Sequence, residues 1–108
     1  MRFGEAMTDE RLTDELAARV MGWKPAPDRF VKTGRGWIPR WRFQPLTSFD
    51  HALQLLDRSD RYTITKNADA SLTAEVQIKG RTGKASNELK SRAIAVAVAR
   101  TLGIVVDR

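Results

Sequence analysis

Residues 23–42 carry the densest binding chemistry in the chain. Lys24, Arg29, Lys32, Arg35, Arg40 and Arg42 stand there against Asp28 alone, so six minus one gives +5. Trp23, Trp37 and Trp41, the only tryptophans, fall in the same stretch. Arginine grips phosphate with a planar fork and indole stacks on bases, so the two interleaved suit nucleic acid. Trp and Arg are also enriched at protein interfaces. Read as a strand, 37–43 puts Trp37, Pro39, Trp41 and Phe43 on one face, with Ile38, Arg40 and Arg42 on the other. Large aromatics tend to be buried, so the tryptophans are expected in the core and the arginines on a bare basic face.

A second basic group, Lys79, Arg81, Lys84, Lys90 and Arg92, has only Glu88 to balance it. The candidate binding surface therefore combines Arg29, Lys32, Arg35, Arg40 and Arg42 with Arg81 and Lys84. The stretch Gly80-Arg81-Thr82-Gly83-Lys84 suggests a phosphate loop but departs from that pattern. Ile78 stands where the first glycine belongs, and Ala85 where Ser or Thr must follow the lysine. A basic glycine turn leading into a helix N-terminus can still hold an anion, although solvated charges on a strand-to-helix turn explain it as well.

Catalytic chemistry is sparse. His51 is the one histidine, and no cysteine is present, which excludes thiolate metal sites, disulfides and a cysteine nucleophile. Glu5, Asp9, Glu10, Asp14 and Glu15 cluster at the start of a helix, where the dipole favours acids. No nucleophile elbow appears. The expectation is a protein that is not an enzyme and uses no cofactor or metal.

The whole chain has 108 residues and a formal charge of +6, which fits one small basic domain. No apolar run is long enough to span a membrane, and the absence of a secretory signal points to the cytoplasm of a bacterial host. Residues 1–7 read as a flexible tail, with Met7 an alternative start to Met1, and 8–106 as one α+β domain.

Thr8 caps a helix whose Leu12, Leu16 and Val20 recur every four residues, and Gly22 ends it. Residues 29–33 and 37–43 flank Gly34-Arg35-Gly36 as a hairpin, with Pro39 marking an edge or a bulge. Ser48 caps a short helix carrying Phe49, Ala52, Leu53 and Leu56. Strands follow at 62–65 and 72–79, and the second alternates cleanly: Leu72, Ala74, Val76 and Ile78 against Thr73, Glu75, Gln77 and Lys79. Gly80–Lys84 breaks that strand. Ser86 then caps a wide-faced apolar helix ending at Gly103. The order is α-β-β-α-β-β-α, with the two hairpins joined into a four-stranded, mainly antiparallel sheet and three helices packed on it.

Leu16-Ala17-Ala18-Arg19-Val20-Met21-Gly22-Trp23 resembles the opening of many short phage and prophage proteins. Pro45–Ala52 is similar to their step into a second helix, and Ser91-Arg92-Ala93-Ile94-Ala95 to the core of their last one. Together the patches resemble the phage ABA sandwich domain over roughly residues 10–103. The family often has an aromatic where Leu46 stands and a cysteine where Ser91 stands. The resemblance implies helices on both faces of a sheet and a temperate-phage origin. It implies no catalytic residue. The alternation at 72–79 favours a sheet with one more open face; both arrangements stand, and the three-layer sandwich is the one expected.

Three functions follow as expectations. One is a phage accessory protein acting by binding. Another is a nucleic-acid-binding module using the 29–42 hairpin. The third is an anti-CRISPR-like inhibitor of a host defence protein, docking on an acidic surface.

Overall fold

A computed structural model describes residues 8–34, 36–104 and 106. The flexible tail expected at 1–7 lies outside them, as does Arg35.

The first helix, α1 (Asp9–Leu16), begins where Thr8 Oγ1 accepts the Arg11 amide at 3.1 Å. Leu12 and Leu16 are buried. The helix then widens into a π turn, Ala17–Met21, and stops at Gly22, whose φ of 75° is left-handed. Lacking a Cβ, glycine takes that conformation without strain.

The first sheet has three short antiparallel strands in the order β1 (Lys24–Pro25), β2 (Arg29–Val31), β3 (Trp37–Pro39). Pro25, Phe30 and Ile38 are in register on one face, and Phe30 is fully buried. Lys24, Val31 and Trp37 are in register on the other, which faces solvent. Strand pairing ends at Pro39. Arg40–Arg42 coil into a 3₁₀ turn, and the Phe43 amide donates to the Arg40 carbonyl at 3.1 Å. The expected strand 37–43 is therefore only three residues long, and its alternation does not carry past Pro39. The aromatic core here is Trp23, Phe30 and Phe43. Phe43 meets Trp23 and Phe30 edge-on, with ring centroids 5.2 and 5.6 Å away.

Helix α2 (Phe49–Leu56) is capped by Ser48, whose Oγ accepts the His51 amide at 3.3 Å. A second sheet follows in the order β4 (Arg61–Lys66), β5 (Leu72–Ile78), β6 (Arg81–Asn87), all antiparallel. Helix α3 (Lys90–Thr101) ends the fold. The structure is thus α+β with two three-stranded sheets, where one four-stranded sheet was expected. The difference lies mainly in 81–87. Lys79 and Gly80 both have positive φ and form a two-residue turn of the kind that twists correctly for a hairpin. The chain reverses there into a third strand, and Ser86 lies inside that strand, not at a helix cap.

Leu72, Ala74, Val76, Gly83 and Ala85 turn inward, under α3, which also packs on α2. Ile94 and Val98 of α3 are fully buried, each contributing roughly 1.5–3 kcal/mol. The other face bears Thr63, Thr65, Glu75, Lys84 and Ser86, all exposed. Among the described residues the second sheet has helices on one face only, so the three-layer arrangement expected from the resemblance is not seen there.

Two contacts fix α3 on this sheet. Thr101 Oγ1 lies 2.8 Å from the Ala97 carbonyl and 3.2 Å from the Val76 carbonyl and donates toward both. On the outer strand, Arg100 Nη1 donates to the Lys84 carbonyl at 2.9 Å.

Candidate ligand-binding face of the first sheet

Register explains how Arg29 and Trp37 meet. Arg29 lies opposite Pro39, so Trp37 is its diagonal neighbour on the outward face. The guanidinium carbon sits 4.2 Å from the Trp37 ring centroid. The same guanidinium forks onto Asp28, with Nε to Oδ1 at 3.0 Å and Nη2 to Oδ2 at 2.9 Å. That hydrogen bonding, joined by the charge of Arg29, holds the Asp28 carboxyl below the usual carboxylate range.

Both hairpin tryptophans are open to solvent. Trp37 is 53% exposed and Trp41 65% exposed, so the expectation that they form core does not hold. Trp37 faces outward because Ile38 takes the inward position opposite Phe30, and the 3₁₀ turn after Pro39 then sends Phe43 inward in place of Trp41. Trp23 is the half-buried one, packed on Phe30 and Phe43. Arg42 lies 5.4 Å over Trp41, and Lys32 lies 5.5 Å over Trp23. Each tryptophan thus carries a cation against its ring. Lys24, Val31 and the half-buried Pro39 share the outward face with Arg29 and Trp37, and Trp41 and Arg42 lie in the 3₁₀ turn that follows it.

Arg40 does not join this surface. Its Nη1 donates to the Ala26 carbonyl at 2.6 Å, its Nη2 bonds Asp14, and its guanidinium carbon lies 4.6 Å over the Phe30 ring. Its side chain is only 20% exposed. Arg40 therefore ties the first sheet to α1, and α1 supplies the acid that holds it.

Arg81 and Lys84 stand on β6, in the other sheet, where Lys84 lies opposite Glu75. The candidate residues thus divide: Arg29, Lys32 and Arg42 accompany the tryptophans, Arg40 is structural, and Arg81 and Lys84 belong elsewhere. Arg35 lies outside the described residues. The expected glycine turn into a helix is absent, since Gly83 sits mid-strand.

The catalytic candidates have structural partners. His51 Nδ1 accepts the Gln44 amide at 2.8 Å, which places the ring proton of the neutral form on Nε2. Among the acids, Glu15 pairs with Arg19 at 2.9 Å and Asp9 with Arg92 at 3.1 Å. Among the described residues, no three His, Asp or Glu side chains converge as metal ligands. No helix among them is long and apolar enough to cross a membrane.

The fold itself is shared. A phage protein from Bacillus cereus ATCC 14579, known from a 2.0 Å crystal structure, is similar with a TM-score of 0.80. The similarity covers 99% of this chain and 98% of that one at 16% sequence identity. Neither a family model nor a curated protein matches the sequence.

Proposed function

We propose that this chain is a phage- or prophage-encoded accessory protein that acts by binding and not by catalysis, and that the outward face of the first sheet, with the 3₁₀ turn that follows it, is its binding surface. One observation carries the reading. Trp37 and Trp41 are each more than half exposed, although burying such a ring normally stabilises a small domain by roughly 1.5–3 kcal/mol. Rings left in water beside Arg29 and Arg42 match the residue types that dominate binding energy at interfaces. The fold shared with a phage protein supports the proposed origin. The structural partners of His51, Asp9, Asp14 and Glu15 support the non-catalytic reading.

Photo-crosslinking tests it. A benzoylphenylalanine replacing Trp37 or Trp41 is expected to give discrete adducts in host cells, and one replacing the exposed Thr63 on the second sheet is not. Indistinguishable adducts from the two sites would overturn the choice of face. Turnover of a substrate by the purified protein, lost in His51→Ala, would overturn the non-catalytic reading.

A further inference from the structure

We infer that the ligand here is single-stranded nucleic acid, its bases stacking on Trp37 of the outward face and on Trp41 of the adjoining 3₁₀ turn, its phosphates held by Lys24 on that face and by Lys32 and Arg42 beside it. This rests on the binding-face reading above and names its partner.

The argument starts from what the face offers. Exposed indoles alone would suit any apolar partner. Here the rings alternate along the chain with cations, and residues 23–42 contain only one acid. That acid, Asp28, is already neutralised by Arg29. A strand of nucleic acid presents the matching alternation of flat π-faces and anionic phosphates. An acidic protein surface matches the cations but leaves the indoles without partners of their own kind. In a duplex the base faces are stacked on one another, so the indoles find none there either. Trp37 and Trp41 are four residues apart, a span of at most about 14 Å, so one short oligonucleotide can touch both.

Charge pairing sets the expected salt dependence. Among the described residues, Lys24, Lys32 and Arg42 form no ion pair. Three neutralised phosphates on a single strand give a slope of about −2 in log K against log salt. Arg29 is held in reserve by Asp28. Replacing that carboxylate with an amide frees the guanidinium and adds a fourth contact, which makes the slope steeper by about 0.7.

The test is a titration of the full chain into labelled oligo(dT) of about 12 nucleotides, a usual site size. Parallel arms use a duplex of the same length and polyglutamate. Binding is read by anisotropy and by quenching of tryptophan emission from about 50 to 200 mM salt. The single strand is expected to bind at least about tenfold more tightly than the duplex, with tryptophan quenching. Trp37→Ala and Trp41→Ala are each expected to weaken binding by about 5- to 150-fold. Asp28→Asn is expected to tighten it, an outcome that a damaged fold cannot imitate. Preference for duplex, tryptophan variants within twofold of the parent, or no binding at the lowest salt each overturns the inference. Quenching by polyglutamate without oligonucleotide binding overturns it too, yet leaves the binding face standing.

Discussion

Gly83 and Thr101 meet where β6 passes under the last turn of α3, and there is no room between them for a single carbon. A Cβ built on Gly83 would overlap the Thr101 amide and hydroxyl and the Ala97 carbonyl. Thr101 in turn donates toward Val76, the register partner of Gly83 on β5. The glycine sets the helix-to-sheet distance, and the threonine hydroxyl fixes the helix at that distance.

Gly83→Ala is expected to destabilise the protein by about 1–3 kcal/mol, because backbone must move to admit the methyl group. Thr101→Ser keeps the hydroxyl and is expected to cost less than the glycine change. Urea midpoints at constant slope measure both. A Gly83→Ala variant as stable as the parent would show that α3 does not press on β6 as described.

Arg40 and Arg42 are two residues apart and have opposite assignments. Arg40→Ala removes bonds to Ala26 and Asp14 in a largely buried setting, and a loss of about 1–3 kcal/mol is expected. Arg42→Ala is expected to leave stability within about 0.5 kcal/mol, since the side chain is exposed. Thermal melts of the pair check the contrast, and equal losses would contradict it.

Tryptophan emission should report two environments. The parent is expected to be quenched efficiently by iodide through Trp37 and Trp41. In Trp37→Phe/Trp41→Phe only Trp23 remains, packed between Phe30, Phe43 and Lys32. Its emission is expected to be bluer and shielded, with the fold retained. An unchanged quenching constant would place the exposed rings wrongly.

The Asp28–Arg29 fork responds to acid. Its folded carboxyl lies lower than its unfolded one, chiefly through the hydrogen bonds from Arg29. Its contribution is therefore complete above about pH 3.9, the unfolded value, and disappears as pH falls through the lower folded value. Carboxyl carbon shifts followed by NMR are expected to show Asp28 titrating below ordinary aspartates, and Arg29→Gln is expected to raise it. An Asp28 midpoint unmoved by that change would remove the fork as the cause.

Local signals in the sequence identify much of this fold. Thr8, Gly22 and Ser48 mark helix ends because capping is a contact within a few residues. Strand β5 is legible because Leu72, Ala74 and Val76 alternate with polar neighbours under a helix. Strand β6 is not, and the reason is Gly83 and Ala85. Its inward positions must be small to let α3 approach, so the apolar side of its alternation vanishes. The site was half legible. Composition finds the arginines and tryptophans of 23–42, but Trp37 faces water because Ile38 pairs inward with Phe30, and Trp41 because of a 3₁₀ turn after Pro39 that no periodicity announces. That Arg40 belongs to the scaffold depends on Asp14, which is distant in sequence and visible only once α1 is in place.

The bond from Arg100 to the Lys84 carbonyl bears on strand addition between copies of the chain. A sheet with two free rims invites a neighbour to add a strand, and that neighbour a further one, until a fibre grows. Arg100 occupies a carbonyl of β6 that such a newcomer would need. On the opposite rim, Arg61 and Lys66 stand at the two ends of β4, so self-pairing in antiparallel register would set arginine against lysine at each end. One rim has a carbonyl already engaged and the other sets like charges against its own image, and both disfavour strand addition between copies.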